Sequence, residues 1–234
     1  MAVRPRHRGE TTVRTALALL ASLLLAACGS GGPPVPDWKS DSANLVERYK
    51  RHALKGENTL AEKYFGEAVA ATGGAGRVTE TARLWLVHCA VRRAMLIADP
   101  CAEYRGLTGA AGAAQDEAYY RYLTLAWDKL DPARLPARHA RVPTSGVPAR
   151  PAVLAALDDP LARLIAAGLT VQRGEADDAT LDLAIETASE RGWTQPLLAY
   201  LKLRLARAQA ANDLETSGKI EQRLDLVEAS LMQK

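Results

Sequence analysis

The chain has 234 residues, 48% of them hydrophobic, which is enough apolar material for one sizeable core or two small ones and excludes disorder throughout. Aromatic residues make up only 5% while Ala, Leu and Arg abound, a balance that favours an all-α body over a sheet. Arg4, Arg6, Arg8 and Arg14 against Glu10 account for the whole net charge of +3, so the chain beyond residue 27 is neutral and lacks the basic field that nucleic acid requires.

In chain order, residues 1–14 hold those four arginines, residues 15–27 are apolar or small and uncharged, and Cys28 follows at once. This is the basic, apolar, small-residue order of a secretory leader. The apolar stretch is shorter than the roughly 20 residues of a spanning helix. Leu25-Ala26-Ala27-Cys28 resembles the bacterial lipobox. The resemblance implies that residues 1–27 are a cleaved signal peptide and that Cys28 becomes a mature N-terminus carrying diacylglycerol and an N-acyl lipid, with no other cofactor. If ordinary signal peptidase cuts instead, Cys28 is an idle thiol. At about 0.8 kcal/mol per buried methylene, two or three acyl chains would hold the protein on a membrane almost irreversibly. Gly29 stands where lipoproteins of the enteric type that stay in the inner membrane tend to carry Asp, so the resemblance implies an outer-membrane anchor facing the periplasm.

Residues 28–40 read as a flexible tether, because Gly29, Gly31, Gly32, Pro33, Pro34 and Pro36 cannot sustain a helix. Helices are expected over about 41–55, 58–72, 79–97 and 114–128, with Gly73-Gly74 ending the second. Ala82, Trp85, Cys89 and Leu96 give the third so wide an apolar face that it should be buried on more than one side. Asp99-Pro100, Asp131-Pro132 and Asp159-Pro160 each read as an N-cap carboxylate with proline at the first helical position, and each predicts a helix start. Residues 141–150 contain Pro143, Gly146 and Pro148 and read as a loop or linker between an N-terminal helical region, 41–140, and a C-terminal one, 151–234. The C-terminal region predicts helices over about 160–173, 177–191, 195–211 and 213–232, parted by Gly174, Gly192 and Asn212 and packed antiparallel across their short turns.

Gly56-x4-Ala61-x3-Phe65-x2-Ala68 is similar to the second half of a tetratricopeptide repeat, although Tyr49 upstream stands where that family has a small residue. Gly174-x4-Ala179-x3-Leu183, with Glu186 in place of the last small residue, and Asn212-Asp213 with Ser217 and Leu224 look like weaker copies. The resemblance implies antiparallel helix pairs stacked around a concave, partner-binding face. An irregular helical bundle is the alternative.

Cys89 and Cys101 are the other cysteines, and in an exported protein they either pair structurally or remain two buried thiols. Pairing requires the chain to turn back before Pro100, since disulfide Cα atoms lie within about 7 Å of each other. Without C-x-x-C spacing a redox-active pair has no support. His88 and Cys89 are adjacent and so do not face each other on a helix, and no histidine spacing suggests a metal site. Asp158-Asp159 and Asp177-Asp178 fall at helix starts, where capping explains them. Tyr119, Tyr120, Tyr122 and Trp127 form the densest ring cluster, read as inter-helix packing or as one side of a partner face. The expectation is a non-catalytic, lipid-anchored protein that binds an envelope protein. The rivals are a wall-active enzyme resembling a lytic transglycosylase, for which Glu67, Glu103 and Glu186 lack the context, and a structural spacer.

Overall fold

The computed structural model describes residues 36–109 and 112–232. The expected leader, the motif Leu25-Ala26-Ala27-Cys28 and the tether as far as Val35 lie outside the described residues. The chain divides into a unit of residues 1–37 and a unit of residues 38–234, and the second is the helical body. Among the described residues the structure is all-α, and no helix is long and apolar enough to cross a membrane. The helices are α1 (Asp37–Lys55), α2 (Asn58–Gly74), α3 (Val78–Ala94), α4 (Ala102–Thr108), α5 (Ala114–Leu123), α6 (Ala137–Ala140), α7 (Arg150–Ala155), α8 (Pro160–Gln172), α9 (Asp178–Glu190), α10 (Thr194–Ala210) and α11 (Leu214–Met232).

The regular punctuation of the C-terminal half follows from its caps. Asp159 Oδ1 accepts from the backbone N–H groups of Leu161 and Ala162 at 2.9 and 3.3 Å, and Asp177 Oδ1 accepts from that of Thr180 at 2.8 Å. Gly174, Gly192 and Asn212 then take left-handed conformations, with φ of 71°, 62° and 56°, just past the ends of α8, α9 and α10. Consecutive members of α8 to α11 pack on one another, as short turns between helices require.

The N-terminal half departs from its sequence expectations at several helix ends. α2 runs on through Gly73 and Gly74, because Gly76, with φ of 68°, makes the reversal instead. α3 stops at Ala94 rather than residue 97: Leu96 takes φ of 62°, and Arg93 reaches forward to donate from Nη2 to the Asp99 carbonyl at 2.6 Å. Asp99 does not cap a helix. Its carboxylate accepts from Cys101 N at 2.7 Å in a tight turn and pairs with Arg92 at 2.7 Å, so α4 starts only at Ala102. α5 stops at Leu123, not 128, because Leu125 turns left-handed with φ of 65°, and Trp127 Nε1 donates to the Tyr122 carbonyl at 2.9 Å. Asp131 does cap Pro132–Arg134, at 3.1 Å to Ala133 N, but Leu135 precedes Pro136 and is held extended with ψ of 152°, so the helix ends after one 3-10 turn.

α3 is the central element and packs on α2, α4, α5 and α8. Leu86, Cys89, Ala90 and Ala94 join a core that runs from Ala82 to Leu224, while Val91 and Met95 join Tyr49, Leu54, Ala61 and Phe65 in a second cluster under α1 and α2. Burial on two sides is what its wide apolar face predicts. The α3–α8 crossing is very close: a Cβ added at Gly168 would collide with the Arg93 carbonyl oxygen and lie 3.3 Å from the Tyr200 hydroxyl.

The stretch 141–150 is not a boundary. Val142 and Arg150 are buried in it, and the large core includes Leu86 and Tyr122 before it as well as Leu154, Leu164 and Leu181 after it. Arg150 explains why the segment is held: its guanidinium pairs with Glu175, donates from Nη2 to the Ser145 carbonyl at 2.6 Å and lies 5.3 Å from the Trp127 ring centroid, while Arg173 covers the same ring at 4.4 Å. Proline and glycine composition marks turns, but it does not report a buried arginine among them.

Candidate functional site

Among the described residues, a concavity lies where α1, α3 and the N-terminal end of α8 meet. In α1, Glu47, Lys50, Arg51 and Leu54 recur every three or four residues and so share one side of the helix. They face Asp159, Pro160 and Leu161 at the start of α8, with Arg191 and Trp193 contributed by the turn after α9. This outer cavity holds about 380 Å³. A smaller chamber of about 190 Å³ adjoins it and shares Lys50, Asp159 and Leu161; Val87, Ala90 and Val91 of α3, Tyr119 of α5, Arg138 and His139 of α6, and Ala162 and Ile165 of α8 complete its lining.

Four cations and two carboxylates surround the cleft. Both carboxylates are engaged: Glu47 pairs with Lys50 at 2.5 Å, and Asp159 caps α8 while lying 3.7 Å from Arg138. Arg51 and Arg191 have no carboxylate partner among the described residues, leaving two guanidinium groups on the rim for an external anion. The inner chamber differs in character. His139 is only 1% exposed, and its Nδ1 has no hydrogen-bond partner. Burial, reinforced by Arg138, pushes its imidazole down to about 4, so it is neutral at physiological pH. Burial likewise drives the Tyr119 phenol well above its ordinary value, keeping it protonated. The cleft therefore combines two unpartnered arginines at its rim with an inner space whose apolar side chains, neutral imidazole and neutral phenol sit beside the ion-paired Lys50, Arg138 and Asp159.

Cys89 and Cys101 form a disulfide, with Cα atoms 5.6 Å apart and both residues 1% exposed. The left-handed turn at Leu96 provides the reversal that pairing needs. Together with Asp99 these sulfurs make a cluster of metal-ligand type within 4.8 Å, but the sulfurs are bonded to each other and Asp99 is paired with Arg92. No thiolate is left there for a cation.

Each of the four clustered rings packs against neighbouring rings. Tyr122 is wholly buried and stacks on Trp127 at 5.7 Å, and Tyr119 packs against His139 at 5.3 Å. Tyr120 stacks on Tyr104 at 5.2 Å beneath the Arg105 guanidinium at 4.3 Å. α5 packs on α3 and on two 3-10 turns, so the rings lie between elements, and of the four Tyr119 also borders the cleft. His88 joins a different aromatic group, stacked on Tyr49 at 5.5 Å, and lies 3.6 Å from Glu62. Asp178 pairs with Arg204 at 3.3 Å and Asp177 caps α9, so that carboxylate pair is structural. Glu67 and Glu103 are exposed, and exposed Glu186 pairs with Arg223 at 2.9 Å.

The second repeat-like copy has a different register from the first. Ala61, Phe65 and Ala68 are buried, whereas Ala179 is exposed and Thr180, Leu181, Ala184 and Ile185 are buried in its place.

Lys50, Arg51, Arg138, Asp159, Leu161, Arg191 and Trp193 went unmarked by sequence as a site. Their segments are spread over more than a hundred positions, and no motif spans them; the one local hint is the four-residue stripe from Glu47 to Leu54. No known protein family, curated protein or solved structure matches the chain.

Proposed function

We propose that this chain is a membrane-anchored, non-catalytic envelope lipoprotein whose repeat-like helical body binds another protein through the α1–α3–α8 cleft. The observation that carries the reading is a cleft with two unpartnered arginines at its rim and a mixed apolar and polar interior, a combination suited to recognition. The absence of a catalytic role is supported by what lines the cleft. It offers no Ser, Thr or Cys nucleophile, Glu47 is exposed and held by Lys50, and an imidazole with a pKa of about 4 is a poor base near neutrality. The anchoring part rests on Leu25-Ala26-Ala27-Cys28.

The test is cross-linking in intact cells that express the full chain, followed by mass spectrometry of captured proteins and of the chain itself. A specific envelope protein should be captured, and the mature chain should begin at Cys28 with added acyl mass. Capture of nothing reproducible sinks the binding role, and an unlipidated Cys28 sinks the anchor.

A further inference from the structure

The cleft's arrangement narrows the kind of partner, resting on the protein-binding reading above. We propose that its ligand is an extended peptide segment with acidic side chains flanking an apolar one, the acids meeting Arg51 and Arg191 and the apolar side chain entering the inner chamber.

Charge complementarity decides the sign. Both carboxylates in the lining already have partners, whereas Arg51 and Arg191 have none among the described residues, so added negative charge meets guanidinium groups that need not break an existing ion pair. The interior decides the anchor. Val87, Ala90, Val91, Leu161, Ala162 and Ile165 line a space of about 190 Å³ beside a neutral imidazole and a neutral phenol, and its cations Lys50 and Arg138 are already paired with Glu47 and Asp159, so an entering carboxylate would have to displace one of them whereas an apolar side chain would not.

A peptide fits better than an acyl chain because charged groups share the junction of the two spaces. Leu54, Pro160 and Trp193 line the outer cavity and Val91 and Ile165 the inner one, and Leu161 is common to both together with Lys50 and Asp159. A continuous hydrocarbon would have to pass both charged groups. An extended peptide alternates its side chains and presents backbone N–H and C=O groups to that strip.

The experiment is fluorescence anisotropy on the full chain with labelled synthetic peptides: Gly-Glu-Leu-Asp-Leu-Glu-Gly, the same peptide with Lys for every acid, and the same peptide with Ser for every Leu. The first should bind and weaken as salt is raised, the second should not bind, and the third should bind about tenfold less tightly or worse. Arg51→Glu with Arg191→Glu should weaken the first peptide at least about tenfold with unchanged helical circular dichroism, whereas the control Lys129→Glu with Arg141→Glu, away from the cleft, should not.

No binding at about 1 mM peptide, equal binding of the lysine peptide, or equal weakening by the control variant overturns the proposal. Laurate binding in place of the peptide also overturns it and assigns the cleft to a lipid. If the peptides fail but cells still yield the same cross-linked partner from the wild type and from the Arg51→Glu, Arg191→Glu variant, protein binding survives and this site falls. Peptide binding without any captured envelope partner upholds the site's chemistry and sinks the envelope role.

Discussion

His139 is buried with its Nδ1 unpartnered, and its folded pKa of about 4 lies below the ordinary value of about 6.5. Between those two values the unfolded chain binds a proton that the folded chain refuses, so the stability this residue contributes is complete above about pH 6.5 and is lost as the pH falls toward 4. At about 1.4 kcal/mol per unit the loss is on the order of 3 kcal/mol. Urea denaturation of the wild type and His139→Phe at pH 7 and at pH 4 should show the variant losing less stability on acidification by about that amount; equal losses would mean that the imidazole does not titrate as its burial dictates. Glu175, held low first by its hydrogen bond with Arg173, is common to both proteins and cancels in the comparison. Nothing in the local sequence Ala137–Ala140 announces a buried histidine. The burial comes from Tyr119 and Tyr122, whose rings lie 5.3 and 5.1 Å from the imidazole.

Between elements, the α3–α8 crossing depends on one missing methyl group. Gly168→Ala places a Cβ against backbone, the Arg93 carbonyl, rather than against a side chain that could swing away, so the helices must separate. A loss of about 2 kcal/mol or more is expected in chemical denaturation. Gly218→Ala in α11 meets nothing within 4 Å and should instead stabilise by up to about 1 kcal/mol through helix propensity. If both variants behave alike, close approach is not what holds Gly168 in place. Element boundaries show where local rules suffice. Asp159 and Asp177 start α8 and α9 where their carboxylates predict, because a cap is a local hydrogen bond. Asp99 fails the same rule because Arg92 and the turn into the Cys89–Cys101 bond claim its oxygens and fix the backbone there.

Across the whole body, residues before and after 141–150 share one core, so chemical unfolding of the isolated body should be a single transition reported identically by far-ultraviolet circular dichroism and tryptophan fluorescence. Two separated transitions would restore the boundary that proline and glycine content suggests. The periodicity of apolar residues, the caps and the scarcity of strand formers determined the all-α class, the α8–α11 series and the two-sided burial of α3, because these depend on contacts within a turn or two of the chain. The spacing of Cys89 and Cys101 made a bond possible without deciding it. Only the tertiary structure decided that bond, the burial of Arg150 and His139, the inward packing of Tyr119, Tyr120, Tyr122 and Trp127, and the meeting of Arg51 with Arg191 at one cleft. The physical reason is range: helix formation is governed by neighbours three or four positions away, whereas the cleft is set by which helix faces are left over once α1, α3 and α8 have packed.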